Sequence, residues 1–300
     1  MSHSAQLSAC SKKSTICGST NKFLITQSPE RRNHCGAFVF INASRSILAP
    51  FTSLIPFAFM PDRPKLEVCL SPALLHLYDP SDTITVIVDV FRATSTIAAV
   101  LHQGAAKVLP VAAVDECIAI GAATANSITA GERDGRIAPG LQHGNSPLEY
   151  PAEFIAGKTL VLTTTNGTRL LHMVQGADTI ITGSFLNLTA VCDFLIARGK
   201  PVLLGCAAWK DRFNLEDTLF AGAVVNRLAG HFSINCDSAR AARSLEAQTG
   251  GAYLDYLKDS SHYHRLAGYG LEQDLIYCTT PDLHPVVPIL TGQELVAYKG

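Results

Sequence analysis

Short apolar runs rich in β-branched residues alternate with helical patterns along the chain, and this alternation limits its fold more than any other feature. A series of buried strands, each followed by a helix, forms a largely parallel sheet with helices on both faces. The predicted fold class is therefore α/β, a three-layer α/β/α arrangement around a largely parallel or mixed sheet. The predicted strands span residues 84–89, 106–112, 159–164, 178–182 and 201–206. The predicted helices span residues 94–103, 115–126, 167–175, 187–198 and 216–229.

The C-terminal part of the chain continues in helical patterns after residue 230 and then becomes apolar again at 285–290. That segment, PVVPIL, is predicted to be an edge strand because its prolines cannot donate backbone hydrogen bonds. With 47% apolar residues among 300, the chain can bury a large core.

Residues 1–59 differ in composition from the rest, with six Lys or Arg residues and a single acidic residue, Glu30. This composition resembles an organellar transit peptide. The alternative is that translation starts at Met60 and the upstream residues are spurious. We expect residues 1–59 to be a disordered or spurious extension and residues 60–300 to form the α/β domain.

The composition also excludes several classes of partner. A net charge of −1 without a basic patch argues against nucleic acid. The apolar stretch at 47–60 is too short, and too interrupted by proline, to span a membrane. Nine cysteines at irregular spacings, without a C-x-x-C motif, give no support for zinc and indicate a reducing, cytoplasmic location. Homo-oligomerisation is left open.

The segment VIVDVFRATST places chemical groups at the point where a predicted strand passes into a helix. The free N–H groups of a helix N-terminus favour an anion, and Arg92 can bind a phosphate through two hydrogen bonds. Asp89 can hold a divalent cation or act on the attacking group. The alternative is that Asp89 or Thr94 only caps the helix.

The segment LTTTNGTR repeats this arrangement at the end of another strand, with Asn166, Gly167, Thr168 and Arg169 in sequence. Two such turns in one sheet favour an anion site over two caps. The intervening ERDG segment carries Glu132 and Arg133, which either join the site or form a solvated turn.

The stretch 132–151 is a long loop rich in Gly and Pro, and it contains Asn145 and Ser146. Loops of this length are usually functional or disordered. In FNLEDTLFAG, Asp217 and its neighbour Glu216 either favour a helix N-terminus or supply a metal ligand.

One motif points to a different chemistry. Cys206 and Arg212 form a C-x5-R match, the spacing of cysteine-dependent phosphatases. Cys192 and Arg198 give the same spacing inside a plain helical pattern, so the match carries little weight. The carboxylates and arginines taken together instead suit a small polyanion handled with Mg²⁺.

The motifs VIVDVFRATSTI, AGERDG, GNSPLEY, LTTTNGTR, ITGSFLN and FNLEDTLFAG, in this order, resemble those of the 2-phosphosulfolactate phosphatases. The resemblance implies an α/β/α fold and a Mg²⁺-dependent hydrolase of the type found in coenzyme M biosynthesis. It implies conversion of (2R)-2-phospho-3-sulfolactate to 3-sulfolactate and phosphate. The implied catalytic residues are Asp89 and Glu132, and the implied metal ligands are Asp89, Glu132 and Asp217. The implied substrate-binding residues are Arg92, Arg133, Asn145, Ser146, Asn166, Thr168 and Arg169.

The chain departs from the family pattern after Cys206, where C-A-G-x-x-G is usual and both glycines are replaced. We expect this change to alter the backbone of that loop. Two further interpretations remain open from the sequence: a metal-independent cysteine phosphatase built on Cys206 and Arg212, and an anion-binding module without catalysis.

Overall fold

The computed structural model describes residues 63–133 and 135–300, and the predicted extension at 1–59 lies outside these residues. The strands are β1 (Leu66–Cys69), β2 (Ile84–Val88), β3 (Lys107–Val111), β4 (Ser127–Arg133), β5 (Arg136–Ile137), β6 (Thr159–Thr163), β7 (Thr179–Gly183), β8 (Val202–Cys206), β9 (Pro288–Thr291) and β10 (Glu294–Ala297). The helices are α1 (Ala93–His102), α2 (Val114–Ala123), α3 (Ala152–Ile155), α4 (Gly167–Met173), α5 (Leu188–Arg198), α6 (Leu215–Leu228), α7 (Asp237–Thr249), α8 (Tyr253–Leu257), α9 (Ser261–Ala267) and α10 (Glu272–Cys278). Short 3₁₀ helices lie at Pro72–Leu77, Pro147–Glu149 and Phe185–Asn187.

The strands form one mixed sheet in the order β1-β8-β2-β7-β9-β10-β3-β6-β4-β5. It contains two parallel groups, β1-β8-β2-β7 and β3-β6-β4. The antiparallel hairpin β9–β10 lies between them and pairs antiparallel with both. The strands of one group therefore point in the opposite direction to those of the other.

Alternate strand residues feed separate cores on the two faces of the sheet. Val86 and Val88 of β2 pack into a core with α5, α6 and α7, whereas Ile87 packs into a second core with α1 and α4. A smaller cluster places Cys117 of α2 against Val161 of β6. Helices therefore cover both faces, which confirms the predicted layered α/β fold with a mixed sheet.

All five predicted strands and the five helices that follow them are present within three residues of the predicted limits. The prediction of an edge strand at 285–290 is wrong, because β9 lies inside the sheet between β7 and β10. Its proline is accommodated because Pro288 is the first residue of the strand. Strands β1, β5 and β10, each two to four residues long, and the seven-residue β4 were not among the predicted strand spans.

Helices α6 and α7 pack so closely that only glycine fits at one contact point. A Cβ atom at Gly222 would lie 2.7 Å from the carbonyl carbon of Ala242 and 2.7 Å from Cβ of Glu246. By contrast, a Cβ atom at Gly230 would meet no atom within 4 Å.

A buried imidazole lies in the second core, away from the strand ends that carry the motifs. Nε2 of His284 lies 2.6 Å from the Tyr277 hydroxyl, and the His102 ring is 4.6 Å away. Burial, reinforced by proximity to His102, lowers the pKa of His284 to about 4.

We expect Gly222→Ala to lower the free energy of unfolding by about 1–3 kcal/mol, because overpacking outweighs the higher helix propensity of alanine. Gly230→Ala is the matched control and should change stability by less than about 0.5 kcal/mol. Urea denaturation of both variants measures the difference. Equal stability of the two would contradict the close packing of α6 on α7.

We expect His284 to make the protein less stable as the pH falls from 6.5 towards 4. Its folded pKa lies below the unfolded value of 6.5, so the unfolded state binds the extra proton in that range. The contribution is fully present above pH 6.5 and its loss costs on the order of 2 kcal/mol. The difference in free energy of unfolding between wild type and His284→Gln should shift by this amount between pH 7 and 4. A pH-independent difference would show that His284 has the same pKa in the folded and unfolded states.

Candidate active site

A cleft of about 480 Å³ lies where strands β2, β4, β6 and β8 end. Each of these strands contributes residues at or just after its carboxyl end, and the helical region at 261–266 covers the opposite side. The lining residues are Asp89, Phe91, Arg92, Glu132, Gly135, Asn145, Thr165, Asn166, Trp209, Lys210, His262, Arg265 and Leu266.

The two strand-to-helix motifs of the sequence meet in this cleft. A Cβ atom at Gly167 would lie 2.9 Å from Oδ2 of Asp89, so glycine allows the start of α4 to approach that carboxylate. The backbone N–H of Asp89 donates to the Thr94 hydroxyl at 3.1 Å, which fixes the turn between β2 and α1. The motif glycine is thus required for the close approach of two separate loops.

Asp89 is the most perturbed carboxylate that faces the cleft. Burial raises its pKa to about 6, and the nearby charge of Glu132 adds to the rise, while His262 opposes it. Glu132 itself is held by three donors: the Thr165 N–H at 3.2 Å, the Thr165 hydroxyl at 3.1 Å and the Gly135 N–H at 2.9 Å. Two carboxylates therefore face one cleft at fixed positions.

These two carboxylates suit a hard divalent cation better than a transition metal. Across residues 63–133 and 135–300, no three His, Cys, Asp or Glu side chains come together as a complete metal site. Mg²⁺, however, is usually held by only one or two carboxylates together with water and substrate phosphate. The charge of Glu132 raises the pKa of Asp89, as expected for two carboxylates that repel each other.

A histidine that the sequence analysis did not select also lines the cleft. Nδ1 of His262 contacts Oε1 of Glu216, which is fully buried at the start of α6. The amide of Asn214 donates to the same oxygen at 2.9 Å. The ring of His262 meets Phe91 edge-on, with centroids 5.9 Å apart.

Arg92 lines the cleft, but its charge is already balanced. Its guanidinium forms a buried ion pair with Asp274 of α10 and also donates to the Gly135 carbonyl at 3.4 Å. Asp274 accepts a second hydrogen bond, of 2.7 Å, from the Ser146 hydroxyl. Ser146 therefore supports Arg92 from behind and does not itself line the cleft.

The loop after β8 forms one wall of the cleft. Trp209 and Arg212 exchange two backbone hydrogen bonds of 2.9 Å around Lys210 and Asp211, whose φ angles are 51° and 61°. Positive φ at both central residues defines a type I′ turn. Ala208 also has a positive φ, of 56°. The two positions that lack the family's glycines, Ala208 and Asp211, therefore still adopt the backbone conformation that glycine favours, contrary to expectation.

Cationic groups gather on this wall around the Trp209 ring. The guanidinium carbon of Arg265 lies 4.3 Å from the ring centroid, and Nζ of Lys210 lies 4.8 Å from it. Stacking on the indole holds each long side chain at the cleft. Both cations line the cleft with the two carboxylates, and neither was selected from the sequence.

The structure brings five of the ten predicted site residues into the cleft: Asp89, Arg92, Glu132, Asn145 and Asn166. Oδ1 of Asn145 is buried and has no partner among the described residues. The remaining five, Arg133, Ser146, Thr168, Arg169 and Asp217, contact other protein groups outside the lining of this cleft.

Their contacts explain this placement. Arg133 donates to the Thr163 hydroxyl at 3.1 Å, and Arg169 pairs with Asp211 at 2.8 Å. The Thr168 hydroxyl lies 3.2 Å from that of Thr164. Each of these side chains stabilises a strand end or a loop that borders the cleft.

Both oxygens of Asp217 are occupied by N–H donors. The Val90 N–H donates to Oδ1 at 2.8 Å, and the Ala208 N–H and the Asn214 amide donate to Oδ2 at 3.1 and 3.0 Å. Burial, with the charges of Glu216 and Asp89, raises the pKa of Asp217 well above its usual range. Asp217 therefore connects the segments around the cleft.

The structure contradicts the interpretation of Cys206 as a nucleophile. Cys206 is fully buried and does not line the cleft. Burial, with the charge of Asp217, raises the pKa of its thiol well above the usual value. A protonated thiol without access to the cleft cannot attack phosphorus.

The residues missed by the sequence analysis lie far along the chain from the motifs they join. His262 and Arg265 belong to the stretch SHYHR at 261–265, which lies outside the motifs singled out from the sequence. His262 contacts a residue 46 positions earlier, and no local periodicity encodes such a contact.

Comparisons with known proteins place this architecture in a family. The family model for 2-phosphosulpholactate phosphatase matches residues 69–293. A protein of Thermotoga petrophila named "probable 2-phosphosulfolactate phosphatase" is 44% identical over 207 residues, which cover 69% of this chain and 88% of that protein.

Two further relatives carry the same name. The protein of Synechocystis sp. is 38% identical over 209 residues, covering 68% of this chain and 87% of its own. The protein of Carboxydothermus hydrogenoformans is 36% identical over 224 residues, which cover 75% of this chain and 92% of that protein. The matched region contains every strand end that lines the cleft. The chain belongs to the 2-phosphosulfolactate phosphatase family.

Proposed function

We propose that the protein hydrolyses a phosphomonoester in the cleft, with (2R)-2-phospho-3-sulfolactate as the substrate. The observation that supports this function best is the pairing of two carboxylates, Asp89 and Glu132, with the cations Lys210 and Arg265 in one cleft. The substrate carries a phosphate, a sulfonate and a carboxylate, so it needs several positive partners. The names of the relatives support the same substrate.

We further propose that Mg²⁺ is the cofactor and that Asp89 and Glu132 hold it. When bound, it would polarise the phosphate and neutralise charge that develops on its oxygens. Asp217, the third metal ligand implied by the sequence, is less suited because N–H donors already occupy both its oxygens. Its role in this proposal is to position the loop that carries Ala208.

The anionic groups of the substrate are proposed to contact Arg265 and Lys210, with Arg92 and the amides of Asn145 and Asn166 alongside. Arg265 suits this role because a guanidinium binds a sulfonate, carboxylate or phosphate through two parallel hydrogen bonds. The unpartnered Oδ1 of Asn145 leaves an acceptor for a hydroxyl or water.

The non-catalytic alternative is an anion-binding module that uses the same cleft. It differs from the proposed enzyme in one respect: it binds phosphate esters and releases no phosphate. The paired carboxylates favour catalysis, because two negative groups in an anion site weaken binding unless a cation joins them.

We propose a cytoplasmic location. The six cysteines of the described residues are all free thiols, which fits a reducing compartment. No helix within residues 63–133 or 135–300 has the length and apolarity needed to cross a membrane.

Phosphate release from 2-phosphosulfolactate is expected to require Mg²⁺ and Asp89. Excess EDTA should abolish release and added Mg²⁺ should restore it. Asp89→Asn keeps the shape but removes the charge, and it should lower kcat/KM by at least about 100-fold. Circular dichroism checks that the variant is folded, and a phosphate assay measures the rate.

Cys206→Ala separates the metal enzyme from the thiol enzyme in the same assay. The variant should keep kcat within about threefold of wild type, since the thiol cannot reach the cleft. Release that survives EDTA and disappears in Cys206→Ala would overturn the metal mechanism. Tight binding of the ester without release under any condition would favour the anion-binding module.

Arg265→Gln should raise KM for the substrate, which has three anionic groups, by about tenfold or more, because a charged hydrogen-bond partner is lost. Arg169→Gln is the matched comparison, since the sequence motif selects Arg169 whereas its guanidinium pairs with Asp211. Steady-state kinetics of both variants measure the two changes in KM. If KM rose more for Arg169→Gln than for Arg265→Gln, the substrate's anionic groups would bind at the motif that begins helix α4, and Arg265 would lose its proposed role.

A further inference from the structure

Nothing in the sequence motifs or in the names of the relatives gives a role to His262, yet its ring is fixed at the cleft from two sides. Nδ1 contacts Oε1 of Glu216, and the ring edge packs against Phe91. Because His262 lines the cleft and its Nδ1 is occupied, Nε2 is the ring nitrogen left to meet a ligand.

The carboxylate behind this ring is enclosed by protein. Glu216 is fully buried, and its Oε2 has no hydrogen-bond partner among the described residues. A buried carboxylate is costly unless a cation pairs with it. The contact between Nδ1 of His262 and Oε1 of Glu216 therefore has Nδ1 as the donor and directs its proton at that carboxylate.

We infer that His262, positioned by Glu216, is the general acid that gives its Nε2 proton to the ester oxygen of the leaving alcohol. This inference rests on the proposed function, because it names an acid for the same reaction. Among the cleft's cationic side chains, only an imidazolium releases a proton readily near neutral pH. Guanidinium groups stay protonated, and lysine normally titrates far above neutrality.

The reaction needs such a group because its leaving group is an alkyl alcohol. An oxygen atom of water bonds to phosphorus as the bond between phosphorus and the ester oxygen breaks, and that electron pair passes to the ester oxygen. The Nε2 proton of His262 then joins this oxygen to give the neutral alcohol. The attacking water keeps one proton on the hydrogen phosphate and loses the other to solvent, from which the imidazole regains its proton.

Several charged groups surround the ring, and both signs of charge are present. The charged and titratable groups that line the cleft around His262 are Asp89, Arg92, Glu132, Lys210 and Arg265. His262 is close enough to Asp89 to lower the pKa of that carboxyl group.

The test compares three variants of the full chain in saturating Mg²⁺: His262→Asn, Glu216→Gln and His264→Asn. Asparagine at 262 keeps a donor for Glu216, so the local contact survives while the acid is lost. His264 lies two residues away on the same short helix, is exposed and does not line the cleft, so it is the matched control. Phosphate release from 2-phosphosulfolactate is measured from pH 5 to 10, and thermal unfolding checks the fold.

His262→Asn should lower kcat by about 10²–10⁴-fold with KM within about threefold, and it should lose the alkaline limb of the kcat profile. Glu216→Gln should lower kcat by about 10–100-fold and move that limb to lower pH, since the imidazolium loses its counter-charge. His264→Asn should match wild type in both respects.

An unchanged alkaline limb in His262→Asn, or a loss confined to KM, would overturn the assignment while leaving the proposed function intact. A limb that does not move in Glu216→Gln would remove Glu216 as the positioning residue. Wild-type protein that releases no phosphate would overturn the proposed function, and the role of His262 with it.

Discussion

The carboxylate of Asp217 holds the candidate active site together. It accepts hydrogen bonds from three segments: the turn after β2 through Val90, the loop after β8 through Ala208, and the start of α6 through Asn214. Each bond to a buried carboxylate is stronger than a bond between neutral groups. Asp89 precedes the first of these donors by one residue, so the bond from Val90 to Asp217 helps to fix the position of the proposed catalytic carboxylate.

The same junction determines the charge pattern of the cleft. Helix α6 begins beside Asp217, and this places Glu216 where it meets His262 of α9. On the other side, Asp274 of α10 balances Arg92 within the core. Helices from the last third of the chain therefore complete a site whose carboxylates come from the first half. The cleft thus combines the carboxylates of Asp89 and Glu132 with cations on the Trp209 wall, which suits the polyanionic substrate and the cation proposed for it.

Sheet twist explains how strands of opposite direction supply one site. The parallel group that contains β2 is antiparallel to the group that contains β4, because three antiparallel pairings separate them. Six steps separate these strands, and a twist of roughly 20–25° per step accumulates to roughly 120–150°. A rotation of this size is enough to bring distant strand ends towards each other. Asp89 after β2 and Glu132 in β4 line the same cleft.

The sequence by itself determined the local elements and the two carboxylates that line the cleft. β-branched runs and helical periodicity predicted the limits of ten elements closely, because backbone preference and one-sided burial act within a few residues. Asp89, Glu132 and Asn166 could be selected because polar groups at the ends of buried strands are exceptional. The hairpin β9–β10, the enclosed Cys206 and the contact of His262 with Glu216 were decided only by tertiary structure. Each depends on strand order, twist or packing between distant segments, which no pattern within a short window of sequence encodes.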